Sequence, residues 1–287
     1  GIEVLSPSIN RSRANTWPEM PNIRLGIEQI KGLGGGWRER RGKHGREREP
    51  SVPERIAAER EEHGEYRSLY DLMTRARLTR EQGEALIRAG ALAEFGVSRR
   101  ELLWQLGLLV QGESEERSSK PTTSFQAALP LGTEQDMATL PSLSPWQQLA
   151  WDYERTGLSP RHPMSLVRPL LNEGLITSLH IGGVHNPTRL PQGMVVEMAG
   201  MVVARQRPAT ASGVLFMLLE DEFGMVNLVV YTALQEKQRE LVRATPFVIV
   251  RGRVDNAKSG FPNIIVDRFA LCPLPGLIEA PKSHNYG

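Results

Sequence analysis

Cysteine is almost missing from this sequence. Cys272 is the only one among 287 residues, which excludes an internal disulfide and a Cys-rich zinc site and is compatible with a reducing cytoplasm. It ends an expected strand and reads as buried filler. Aromatic residues are scarce, at 6%. Net charge is small as well: 35 Lys and Arg against 33 Asp and Glu leave +2. No global cationic field announces nucleic acid, so any such surface has to be local. No apolar run approaches the ~18 residues of a membrane span. The start, Gly1-Ile-Glu-Val-Leu5, lacks the charged-then-apolar order of a signal peptide, and no membrane partner is expected. The six histidines are scattered without ligand spacing, and no metal site is expected. Nucleotidyl transfer needs acids that hold two divalent cations, and no acid pair here has that setting. The densest cluster, Glu220-Asp-Glu222, sits where a strand meets a turn, a place where acids serve the turn and solubility.

At 40% hydrophobic, the chain is long enough for two modest globular units. The stretch Met194–Cys272 reads as a complete small fold. Residues 194–208 alternate, with Glu197, Arg205 and Arg207 on one parity and Val196, Met198 and Val202 on the other, as a half-buried strand does. Gly213 to Gly224 and Met225 to Tyr231 form two strands joined by a tight turn. Thr232 to Ala244 changes to helical spacing, and strands over 246–255 and 261–272 follow, separated by Asn256-Ala-Lys-Ser-Gly260. Three strands, a helix and two strands is the order of an OB-fold, a five-stranded Greek-key barrel that commonly binds single-stranded nucleic acid. Such barrels bind on an outer strand face, with cations for phosphates and aromatic rings for bases. The candidates are Arg205, Arg207, Phe216, Tyr231, Arg251 and Arg253, with Lys258 in the last loop. Against this stands a plainer reading, in which Phe216 is core and the arginines are solvated edge charges.

Upstream, residues 23–110 read as an all-helical unit. Ile23, Ile27 and Ile30 share one helical face, and the run stops at Gly32 and Gly34, where glycine takes the positive φ of a hairpin. Lys31, Gly32 and Gly34 are the candidate phosphate contacts, because amides at the start of a following helix would face a DNA backbone without base preference. No Gly-Lys-Ser/Thr follows, so this is not a nucleotide P-loop. Gly35 to Val52 is a basic insertion without apolar period, expected as a mobile loop. It either threads a nucleic-acid backbone through its arginines or is a solvated insertion. A helix resumes with Pro53 in its first turn; Ser68 and Thr79 are the expected caps of the next two, and Gly90 is a second hairpin stop before a helix over 98–109. Residues 111–143 are Ser-, Thr-, Pro- and Glu-rich and read as a flexible linker. A helical bridge over 144–193 follows, capped by Ser144, and the tail 273–287 is expected to fray.

The segments Ile23-Arg-Leu-Gly with Ile30-Lys-Gly-Leu-Gly34, Tyr66-Arg-Ser-Leu-Tyr-Asp-Leu72 and Leu86-Ile-Arg-Ala-Gly-Ala-Leu92 resemble the C-terminal part of bacterial error-prone DNA polymerases, relatives of the replicative polymerase III alpha subunit. The match continues through Asp152-Tyr-Glu-Arg-Thr-Gly-Leu-Ser159, His162-Pro-Met164, Arg205-Gln-Arg-Pro208, Phe216 to Gly224 and Lys282-Ser-His-Asn285. The resemblance implies a tandem helix-hairpin-helix unit followed by an OB domain, α+β overall, downstream of a polymerase core. It also implies damage-tolerant DNA synthesis in the bacterial cytoplasm, with DNA, a sliding clamp and accessory lesion-bypass proteins as partners. Two departures stand out. The insertion 35–52 interrupts the first hairpin, and the family's palm carboxylates, which would hold Mg2+, lie upstream of Gly1, where 1–22 is an extended lead-in. The expectation is therefore a nucleic-acid-binding chain that does not polymerise DNA alone and needs no cofactor of its own. The alternatives are a module that docks polymerase partners and an OB-fold protein that binds tRNA.

Overall fold

A computed structural model of the chain describes residues 2–33, 38–42, 45–114, 140–181, 190–208, 213–256, 262–274 and 284–286. They divide into two compact units, 1–160 and 161–287. The division falls inside the stretch 144–193 read as a bridge, so its first helix belongs to the first unit.

The first unit opens with a small sheet of β1 (Val4–Leu5), β2 (Trp17–Glu19) and β3 (Asn22–Arg24), in the order β1-β3-β2. The helix expected from Ile23 is therefore absent. Residues 22–24 are a strand, and only a single 3-10 turn, Ile27–Gln29, follows. Sheet pairing wins because the amides of Leu25 and Ile27 donate to the carbonyls of Leu5 and Arg13 at 3.0 and 3.1 Å, and a helix this short has little to offer against tertiary bonds. Of the three residues read as one face, Ile27 and Ile30 are buried, whereas Ile23 is exposed on the strand. The insertion is not the loop expected either. It holds an antiparallel hairpin, β4 (Arg38–Gly42) and β5 (Gly45–Glu49), whose register sets Arg38 opposite Glu49, Glu39 opposite Arg48 and Arg40 opposite Glu47.

Four helices and a fifth then build the core of this unit. Helix α1 (Val52–His63) starts at a Ser51–Glu54 capping box with Pro53 in the first turn, and α2 (Leu69–Arg75) starts at Ser68. Helix α3 (Arg80–Arg88) begins at a Thr79–Gln82 box, α4 is Arg99–Ser114, and α5 (Pro145–Thr156) begins at a Ser144–Gln147 box. Each cap satisfies amides that the helix leaves unpaired. Ile56, Leu72, Met73, Leu86, Ile87, Leu102 and Leu106 interlock beneath them. Helix α5 is tied on by Arg99, which donates to Asp152 at 2.8 Å, and by the Lys31 amide, which donates to the Arg155 carbonyl at 2.7 Å.

The second unit begins with α6 (Met164–Val167) and α7 (Ser178–Ile181) and continues as β6 (Val195–Gln206), β7 (Leu215–Asp221), β8 (Gly224–Val230), α8 (Thr232–Lys237), α9 (Arg239–Arg243), β9 (Phe247–Asp255) and β10 (Asn263–Leu271). This is the element order read from the sequence. Residues 195–201 of β6 pair with β9 and residues 201–206 with β7, while β7 pairs with β8 and β9 with β10. Between β8 and β10 there is a parallel seam of three residue pairs. The result is a five-stranded, partly open OB-like sheet after a helical unit, α+β overall. Met198, Met217, Leu219, Leu228, Val250, Ile264 and Phe269 fill its interior. Gly252 allows the close β9–β10 approach, since a Cβ there would lie 2.4 Å from the Ile265 carbonyl oxygen. The tail also departs from expectation. Residues 284–286 form β11 (His284–Tyr286), parallel to Ala204–Gln206.

Candidate nucleic-acid interface

Strand register brings part of the expected site together on the outer face of the second unit. Gln206 lies opposite Phe216, Phe216 opposite Val229, Val229 opposite Ile265, and Ile265 opposite Arg253. Residues opposite one another in a sheet share a face, so these five form one cross-strand row. Neighbouring strands lie ~4.8 Å apart, which puts Phe216 and Arg253 ~14 Å from each other with an apolar floor between them. Phe216 is 39% exposed and Tyr231, just past the end of β8, 51% exposed. Of the two readings of Phe216, the outward one fits, because Leu215, Met217 and Leu219 take the inward parity of β7.

The four arginines separate. Arg253 is exposed, and its side chain has no hydrogen bond or ion pair among the described residues. Arg207 is exposed, and its guanidinium donates to the Gln235 side-chain oxygen at 2.5 Å, while the Gln235 amide donates to the carbonyls of Gly213 and Val230. It is thus held in place next to the row. Arg251 donates to both oxygens of Asp267 at 3.0 and 3.1 Å and lies 4.0 Å from Glu197, so its charge is largely answered within the sheet. Arg205 corrects the sequence reading. It is 7% exposed, and its guanidinium donates to the carbonyls of Val242 and Thr245 at 2.9 and 2.7 Å. The cause is a bulge between Val202 and Ala204, since one extra residue reverses strand parity and turns Arg205 inward although it shares sequence parity with exposed Glu197. Burial pulls its pKa below the usual arginine value.

In the first unit, Lys31 is exposed, but the turn behind it is packed from within. Gly32 has φ +99°, and a Cβ there would meet an Arg155 guanidinium nitrogen at 3.3 Å. At Gly90, φ +75°, the Arg99 guanidinium lies where a Cβ would be, 2.3 Å away, and donates to the Arg88 carbonyl at 3.0 Å. Gly34 and Lys258 lie outside the described residues.

The acid cluster serves the turn. Asp221 is buried and accepts from the Ser178 amide and hydroxyl at 2.7 and 2.6 Å and from the amides of Phe223 and Gly224 at 3.0 and 3.1 Å. Glu222 takes a two-pronged bond from Arg168 at 2.7 and 2.9 Å. Burial opposes the ionisation of Glu222, yet the Arg168 hydrogen bond and charge hold its carboxyl below the usual range. Burial pushes the Cys272 thiol up to about 12, which makes it a poor nucleophile. Among the described residues no three His, Cys, Asp or Glu converge to hold a metal ion. What the face offers is stacking surface beside cations. Val229, Ile265 and Gln206 were not picked out from the sequence, because their place in the row depends on pairing between strands that are distant in the chain.

Two families match the chain: a helix-hairpin-helix motif over residues 46–102 and an OB-fold nucleic acid binding domain over residues 196–271. Over 277 residues the chain is 36% identical to the error-prone DNA polymerase of Corynebacterium efficiens, a match covering 96% of this chain and 22% of that protein. Its match to the error-prone DNA polymerase of Mycobacterium bovis is 34% over 278 residues, again 96% and 22%. The chain matches one region of the error-prone DNA polymerases. It spans about a fifth of the length of these relatives. The error-prone DNA polymerase of Anaeromyxobacter dehalogenans is 36% identical over 260 residues, 90% of this chain and 20% of that protein. Among solved structures, asparaginyl-tRNA synthetase from Pyrococcus horikoshii aligns over 28% of this chain and 20% of that one, at 25% identity and a TM-score of 0.24, too low to bear on fold or ligand. In the region shared with the error-prone polymerases, then, a helix-hairpin-helix domain and an OB-like domain of nucleic-acid-binding type stand in series. No helix among the described residues is long and apolar enough to cross a membrane.

Proposed function

We propose that this chain is the DNA-holding part of an error-prone polymerase active in damage-tolerant synthesis in the bacterial cytoplasm. The OB-like unit takes single-stranded template, and the helical unit takes the duplex backbone. The observation that carries the reading is the outer row: Phe216 and nearby Tyr231 give rings for bases, Val229 and Ile265 an apolar floor, and Arg253 and Arg207 cations for phosphates. Base stacking on one ring is worth ~1–3 kcal/mol, and each phosphate contact adds a salt-dependent increment. Polymerisation, with its Mg2+, belongs on this reading to a part of the protein outside these residues, and a sliding clamp and lesion-bypass proteins are its proposed partners.

Fluorescence anisotropy of the whole chain with a single-stranded DNA oligonucleotide, a duplex and an RNA of the same sequence, each across a salt series, tests this. Single-strand binding that weakens steeply with salt, and that Phe216→Ala with Tyr231→Ala reduces by ~10-fold or more, is the expected result. Binding to none of the three at low salt would reject the reading in favour of a protein-docking role, and a preference for RNA would favour the tRNA-binding one.

A further inference from the structure

The strand β11 lies where β6 has run out of other partners. Up to Met201, β6 is flanked by β9, but that pairing ends with Phe247 opposite Met201, and beyond the bulge, among the described residues, only β7 and β11 lie alongside. The side of Ala204–Gln206 away from β7 is thus a free edge that β11 fills, with His284, Asn285 and Tyr286 opposite Ala204, Arg205 and Gln206. A free edge is a row of unpaired main-chain donors and acceptors, a template for any extended peptide. This one has supports other than β11. Arg205 is bolted to the Val242 and Thr245 carbonyls and Arg207 to Gln235. By contrast, β11 pairs with no other strand among the described residues and is held by three parallel residue pairs, the weaker kind of ladder.

We infer that the Ala204–Gln206 edge is a docking site for an extended peptide strand of a partner protein, and that residues 284–286 occupy it in cis as a displaceable stand-in. Recognition is through the main chain in parallel register. Exposed Arg207 directly follows the edge, and exposed Arg243 follows the Val242 carbonyl that Arg205 grips, so the partner strand they favour is flanked by Asp or Glu. This edge shares Gln206 and Arg207 with the outer row, but its main-chain recognition does not depend on nucleic-acid binding.

The test compares the whole chain with its Asn285→Pro variant, in which the central residue of β11 loses its donor and its fit to a ladder. Deletion of 284–286 serves as a second variant. Two fluorescent peptides are the probes, Lys-Ser-His-Asn-Tyr-Gly and Glu-Glu-Ser-His-Asn-Tyr-Gly. Both variants are expected to bind the peptides roughly tenfold or more tightly than the parent chain, since the cis competitor is gone, with the acidic peptide ahead. Hydrogen exchange at Ala204–Gln206 should speed up in the variants and slow again with peptide. Equal peptide binding by parent and variants, no binding by the variants, or unchanged exchange would overturn the inference. So would a dimer of the parent chain that both variants abolish, which would make the partner a second copy.

Discussion

Replacing Arg205 by alanine separates a structural arginine from a phosphate contact. In the parent, the buried carbonyl of Val242 and the partly buried one of Thr245 take hydrogen bonds from this guanidinium. Leaving a buried acceptor unpaired costs ~1–3 kcal/mol, so Arg205→Ala should destabilise the second unit by ~2–5 kcal/mol. With an unfolding entropy of ~2.1 cal/mol/K per residue over a unit of ~130 residues, that is a fall of ~7–18 °C in its melting temperature. Arg205→Lys should recover little, because an ammonium lacks the planar fork that serves two carbonyls. The assay is calorimetry beside single-strand DNA binding across a salt series, well below the melt. The slope of log K against log salt should be unchanged for Arg205→Ala, whereas Arg253→Ala should leave the melt in place and flatten the slope by ~0.7. A melt that stays within ~2 °C together with a flattened slope for Arg205→Ala would refute the assignment and put this side chain back on the binding face.

Arg251 is engaged by Asp267, so Asp267→Asn should free it and raise single-strand affinity with a steeper salt slope, read by anisotropy; a loss of affinity would mean that the pair itself shapes the face. In the first unit, burial pushes the Tyr66 phenol, which donates to the Ile56 carbonyl at 2.9 Å, up to about 12. The unfolded phenol ionises near ~10, so this contribution to stability is complete below that pH and is lost as pH rises towards 12. Tyr66→Phe should cost ~1 kcal/mol at neutral pH and remove that alkaline loss in a denaturant titration. Glu222 runs the other way. Its lowered pKa gives stability that is present above the unfolded carboxyl value of ~4.3 and lost as pH falls through the folded one, and Glu222→Gln should flatten the acid limb of the same titration.

Local chemistry was well legible in the sequence. The caps at Ser68, Thr79 and Ser144 sit where a hydroxyl three residues before Asp71, Gln82 and Gln147 marked a helix start. Strands 195–206 through 263–271 appear in the expected order because parity and turn residues are local signals. What escaped was set by contacts between distant segments. Ile23, Ile27 and Ile30 have the spacing of a helix, but the amides of Leu25 and Ile27 bond to Leu5 and Arg13. The tail lacks an apolar pattern, so nothing local foretold that 284–286 would complete an edge. The site was half legible: Phe216 and Arg253 face outward as parity required, whereas a single extra residue in β6 turned Arg205 inward.

Arg205 is one instance of a wider use of arginine. Arg55 donates to the Ala76 carbonyl, Arg60 to those of Ile9 and Ser12, Arg75 to those of Glu59 and Gly64, and Arg99 to that of Arg88. Most of these carbonyls lie at a helix end or in a turn, and a guanidinium's fork can serve two at once. A lysine could not hold these corners, and the arginines that do are unavailable to phosphate. The sequence count of basic residues therefore overstates the binding charge, and a +2 chain whose guanidinia are partly spent on its own backbone keeps a narrow cationic surface. Binding by such a surface should be weak and steep in salt when the chain acts alone. If the chain acts as proposed, tethering to other DNA contacts would raise its effective concentration at the template, so modest intrinsic affinity would suffice and release would stay fast.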